Sequence, residues 1–153
     1  MKKKILSTLV ALACACTMQA QKWELKDIRN LNKISMSDFK SQMKEIHKYS
    51  FFDKTESEMF NLIEYESVDF IHKIGKFEYP DSKQNCIEYC TKDKSEFAGF
   101  KANLIKLGYK IYKSGILYGQ KFSDLTKGTD TIRMLIPKDT VSNNEYFSIM
   151  VNQ

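Results

Sequence analysis

Apolar positions recur along this chain at two different periods, and the change of period divides it into elements. Phe39, Met43 and Ile46 stand at i, i+4 and i+7, one face of a helix. Ser37 suits its N-cap and Asp38 complements the positive end of its dipole. Thr55-Glu56-Ser57-Glu58 reads as a capping box, with Met59, Phe60, Leu62 and Ile63 as the apolar side behind it. The pattern predicts two short helices packed as a helical hairpin. From Ser67 the period falls to two. Val68, Phe70, His72 and Ile74 alternate with their neighbours toward Pro80, and Cys86 to Thr91 alternates again after the turn residues 81–85.

Residues 95–107 predict the longest helix. Ser95 stands as cap, Glu96 in the first turn, and Phe97, Phe100, Leu104 and Leu107 on one face, with Gly108 placed for a left-handed C-terminal stop. Three strands follow, at about 110–122, 129–137 and 146–152, joined by short polar links that imply antiparallel pairing. The predicted fold is α+β: an N-terminal helical hairpin, then a mostly antiparallel five-stranded sheet in the order β-β-α-β-β-β, with one long helix on a face. Residues 21–36 form a lead-in and 37–153 a single domain. No internal repeat or low-complexity tract is visible.

In the last strands Ile132, Met134, Ile136, Phe147, Ile149 and Val151 mark a buried face. Leu117, Leu135, Tyr146 and Met150 then fall on the opposite face, which is more apolar than a solvated sheet face needs. Either the helical hairpin or a partner must cover it.

The first 20 residues change how composition is read. Lys2, Lys3 and Lys4 precede the uncharged run Ile5 to Cys16, and Ala20 stands at the expected cleavage edge, the layout of a secretory signal peptide. The run is shorter than the roughly 20 apolar residues a membrane span takes. Cys14 or Cys16 as a lipid anchor is the weaker alternative, because Ala11 and Ala13 stand where a lipobox has leucine. The expected protein is exported, periplasmic or extracellular. The chain has 24 basic and 19 acidic residues, and with the three N-terminal lysines removed 21 face 19, a net of +2. That removes the charge argument for nucleic acid. The remaining charge is segregated, net −4 over residues 38–70 and net +4 over 71–113.

Candidate chemistry is sparse. His47, His72, Cys86 and Cys90 are zinc-ligand types without zinc-ligand spacing, so no metal is expected. On an extended strand the Cα atoms of Cys86 and Cys90 stand about 13 Å apart, too far for a disulfide. No nucleophile elbow or phosphate loop occurs, and no cofactor is implied. The acidic pairs Glu56/Glu58 and Glu64/Glu66 are the residues a hydrolase reading would use. Tyr49, Phe51, Phe52, Tyr109, Tyr112, Tyr118 and Tyr146 exceed what a core this size needs, and tyrosine favours binding surfaces. The sequence therefore predicts an exported, non-catalytic binding domain for a protein partner or for self-association, contacting it through Leu117, Leu135, Tyr146 and Met150. A small hydrolase and a small-ligand carrier are the alternatives.

Overall fold

The computed structural model describes residues 22–82, 84–141 and 145–153. The N-terminal segment expected to direct export, with Cys14, Cys16 and the expected cleavage after Ala20, lies outside the described residues. Among the described residues no helix is long and apolar enough to cross a membrane.

The chain is α+β, with one antiparallel sheet of eight strands rather than five. The lead-in contains a helix, α1 (Leu25–Lys33), held by a capping box in which Asp27 accepts from the Glu24 backbone N–H. Its buried residues Leu25, Ile28 and Leu31 form one stripe. Helix α2 (Met36–Ser41) has its cap two residues earlier than predicted, because Ser35 rather than Ser37 accepts from Asp38 N. It runs into a π-helical turn over Gln42–Ile46.

The predicted second helix is a β-hairpin, β1 (Ser50–Glu56) and β2 (Asn61–Glu66). Thr55, the hydroxyl that suggests a helix cap, lies in β1, and its neighbour Ser57 closes a turn: Ser57 Oγ accepts from Met59 N and Phe60 N, and Ser57 N donates to Phe60 O. Ile63 and Tyr65 are buried while Leu62, Glu64 and Glu66 are half-buried, a period of two. Strand β4 (Asn85–Thr91) follows as expected, but β3 (His72–Glu78) begins at His72 rather than near Ser67: residues 67–71 form a turn closed by Phe70 N to Ser67 O, with Phe70 at a positive φ of 59° and Val68 and Phe70 exposed. Helix α3 (Lys94–Lys106) is capped by Asp93, not Ser95, and buries Phe97, Phe100 and Leu104. Leu107 is 45% exposed, because the chain leaves the helix there for the next strand.

The predicted strand 110–122 is two strands, β5 (Lys110–Leu117) and β6 (Gln120–Lys127). Tyr118 and Gly119 both have positive φ, 49° and 83°, the geometry of a tight hairpin turn whose twist matches its strands. Strands β7 (Asp130–Ile136) and β8 (Phe147–Asn152) close the chain. The sheet order is β1-β2-β3-β4-β8-β7-β6-β5, so β4 and β8 form the central seam.

That order has an internal two-fold which the residues do not repeat. A helical segment and a four-stranded meander occur twice, and the two meanders join at the seam. The pairing register maps one onto the other. Outward from the pair Glu88–Met150 run Gly75, Glu64 and Asp53 on one side, and Arg133, Asp124 and Lys113 on the other. Both edge strands carry a bulge at the matching place, between Phe51 and Asp53 and between Ile111 and Lys113. Each is preceded by a residue of positive φ, Lys48 or Gly108, and then a buried tyrosine, Tyr49 or Tyr109, whose N–H returns to a helix carbonyl.

All three helices belong to one hydrophobic cluster with the inward strand residues Ile63, Tyr65, Ile74, Ile87, Tyr89, Ile132, Met134, Ile149 and Val151. The helices therefore share one face of the sheet. Two polar anchors tie α1 to it. Lys76 Nζ, fully buried, donates to Leu31 O and Asn32 O at the end of α1, where the helix dipole favours a cation. Asn32 Nδ2 reaches Asn85 O and Val151 O, bridging the two seam strands.

Candidate functional site

The other face of the sheet carries no helix. Its side chains alternate with the core positions along β2, β4, β7 and β8 and are mostly half-buried. Leu135 and Met150 point to this face by register. Leu117 stands at its rim, two residues from Gly115 and opposite Gln120. Tyr146, just before β8, reaches over it: its hydroxyl donates to Glu66 Oε1 at 2.7 Å. The structure thus places all four sequence-derived residues on the helix-free face or at its rim. It does not make them a continuous apolar patch, because charged residues separate them.

Of those charged residues the sequence reading singles out Glu64 and Glu66 but not Lys73 or Glu88. An open depression of about 510 Å³ lies on the face, with Glu64, Lys73, Glu88, Leu135, Tyr146 and Ser148 among its lining residues. Glu64 and Glu88 are both next-but-one across the sheet, flanking Gly75, so their Cα atoms stand about 10 Å apart. Ser148 Oγ donates to Glu88 Oε1. Lys73 Nζ is held over the Phe52 ring, 3.3 Å from its centroid, with the Tyr146 ring at 4.9 Å on the other side. Lys92 Nζ lies 4.7 Å from the Tyr146 centroid. Cations over ring faces in this way are attracted by the ring quadrupole.

Burial pushes the Glu64 carboxyl above its ordinary value; Lys73 opposes this, and the nearby carboxylates of Glu88 and Asp53 reinforce it. In the other half of the face Asp124 is settled differently. Arg133 holds it in a two-pronged pair, Nε to Oδ1 at 2.7 Å and an Nη to Oδ2 at 2.9 Å, and stacks over Phe122.

Cys86 and Cys90 both belong to β4, unpaired with each other, and burial raises both thiols, that of Cys86 to about 12. Such thiols are poor nucleophiles. His72 lies on the helix side, where Nε2 meets Glu96 Oε2 at 2.8 Å, while Tyr89 and Thr91 donate to the same carboxylate. Burial alone would raise Glu96, but those hydrogen bonds bring it below the ordinary carboxylate range. Among the described residues no three of His, Cys, Asp and Glu converge as metal ligands. Glu56 and Glu58 lie in the β1–β2 hairpin, on an exposed edge and its turn, away from the depression.

Glu64 and Glu66 stand among the sequence candidates, but the helix expected here places them at a helix end, whereas the alternation Ile63-Glu64-Tyr65-Glu66 puts both on the helix-free face of β2. Nothing in the sequence brings Glu88, Gly75 and Arg133 together, because their rows form only through strand pairing. No protein-family model matches the chain, and neither the curated proteins nor the solved structures gave a match.

Proposed function

We propose that this chain is an exported, non-catalytic interaction domain that docks a protein partner on the helix-free face of its sheet, around Leu135, Tyr146 and Met150 with Leu117 at the rim. The observation that carries the reading is the asymmetry of the sheet: three helices bury one face, and the other stays half-buried along β2, β4, β7 and β8. Its centre offers an aromatic ring, two aliphatic side chains and a charged depression, the mixture found at transient protein interfaces. Export is the expectation set by the N-terminal segment.

Site-specific photo-crosslinking tests this. A crosslinker at position 135 or 146 of the full chain, expressed in its native cell envelope, should trap one discrete protein adduct. The same crosslinker at Ile105, exposed on the helix side, should not. Adducts from position 105 alone would place the interface on the helices.

One observation favours a catalytic alternative, the raised carboxyl of Glu64 facing Glu88 across Gly75. Two carboxylates facing one open position serve acid–base hydrolysis of glycosides when their carboxyl groups stand about 5–10 Å apart. Turnover on a glycoside panel, abolished by Glu64→Gln, would replace the binding reading with this one.

A further inference from the structure

The internal two-fold supplies a comparison that no relative provides. Under it Glu64 corresponds to Asp124, and Gly75 corresponds to Arg133. In the second half the carboxylate and the guanidinium are both built into the sheet and satisfy each other. In the first half the carboxylate remains and the arginine is replaced by glycine. No ion pair of Glu64 is found among the described residues.

Three further features define the chemistry of the vacancy. Glu64 and Glu88 flank the glycine on the same row, so the position over Gly75 faces a carboxylate from each side. The stems of Leu62 and Glu64 lean over the glycine, Leu62 Cδ1 3.1 Å and Glu64 Cγ 3.3 Å from where a Cβ of residue 75 would stand, so the open volume between the two carboxylates lies above these stems. Lys73, on the same face, has its ammonium committed to the Phe52 and Tyr146 rings. The depression's other charged lining residues are Glu145 and Lys138, so three carboxylates face two ammonium groups and the net charge is negative, with the Tyr146 ring among its walls to receive an alkyl stem.

We propose that this depression is the seat of an arginine side chain from the partner, its guanidinium between Glu64 and Glu88 above Gly75. The partner contributes in trans what Arg133 contributes in cis to the other half. A planar guanidinium fits because it can pair with two carboxylates through different edges, which a compact ammonium cannot. The inference rests on reading the open face as a protein-binding surface.

NMR titration of the full chain with Nα-acetylarginine methylamide tests it, with the citrulline and lysine analogues as controls. The arginine probe should give saturable shifts centred on Glu64, Gly75 and Glu88, with at least tenfold weaker response to either control. Glu64→Gln should abolish these shifts. Gly75→Arg should abolish them too, by supplying the guanidinium internally, and its own Nε signal should report a pair with residue 64. Equal response to citrulline or lysine, shifts centred elsewhere, or titration unchanged in Glu64→Gln would each overturn the proposal. The crosslinking experiment separates the two levels. A partner trapped from position 135 whose capture is insensitive to Glu64→Gln leaves the face as interface and removes the arginine anchor. Arginine shifts at Glu64 with no adduct from the face leave the site and remove the protein-docking reading.

Discussion

At the scale of single residues, the polar groups on the two faces behave oppositely. Lys76 is buried but fully used: its ammonium closes the end of α1 at Leu31 O and Asn32 O. Burial lowers its pKa, yet removing it orphans two carbonyls inside the core. Lys76→Met should therefore destabilise by about 1–3 kcal/mol, the cost of unsatisfied buried groups, read as a lower urea midpoint. An unchanged midpoint would mean that water reaches those carbonyls. Glu64 is the contrary case. Its pKa is raised in the folded chain, so the folded state favours the protonated carboxyl, and ionisation above that pKa opposes folding. Glu64→Gln should raise Tm at neutral pH, and the two melting curves should converge as pH falls through the Glu64 titration. A residue that weakens the fold while facing an open depression fits a role in binding, since sites often trade stability for function. A lower Tm for Glu64→Gln at pH 7 would show that Glu64 supports the fold instead.

At the scale of elements, legibility followed the strength of local signals. Helix α3 was plain from the sequence because apolar spacing, an acidic first turn and Gly108 agree over 13 residues. Strands β7 and β8 were plain because Ile132/Met134 and Ile149/Val151 alternate cleanly. The β1–β2 hairpin was not, because Thr55-Glu56-Ser57-Glu58 has the same donors and acceptors as a helix cap, and pairing with β3 decides the outcome. The β5–β6 turn was hidden because its first positive-φ residue is Tyr118, where glycine or asparagine would have announced it. The helix-free face is legible in its apolar members and in Glu64 and Glu66, but not as rows, since alternation assigns a side chain to a face and only strand pairing assigns it to a row. Helix α3 offers a paired test of packing. Leu104, 1% exposed, should cost about 2–5 kcal/mol as Leu104→Ala. Leu107, 45% exposed, should stay within about 0.5 kcal/mol as Leu107→Ala. Equal losses at the two positions, measured by chemical denaturation, would mean that α3 is rotated from the orientation described here.

At the scale of the whole molecule, the two-fold explains why one face is both stable and available. Eight antiparallel strands joined at β4–β8 bury a continuous core under three helices, so the fold does not need the second face covered. Both edge strands are bulged, which bends them away from edge-to-edge pairing with another chain. Under the proposed reading, a partner is thus directed to the face rather than to the edge. The halves then differ where it matters: at the row through Glu88–Met150, one half is closed by Arg133 and the other left open at Gly75. Arg133→Gly removes that difference. Asp124 is 6% exposed and would be left as a carboxylate without its cation, so the variant should melt lower than the parent. If the halves are equivalent as the register implies, Nα-acetylarginine methylamide should restore part of that loss in Tm, and the citrulline analogue should not. NMR titration of the same variant should show a second saturable set of shifts at Asp124 beside the set at Glu64. Loss of stability with no rescue and no second set would mean that the Asp124 pocket closes without its arginine, and that the correspondence between the halves is one of backbone alone.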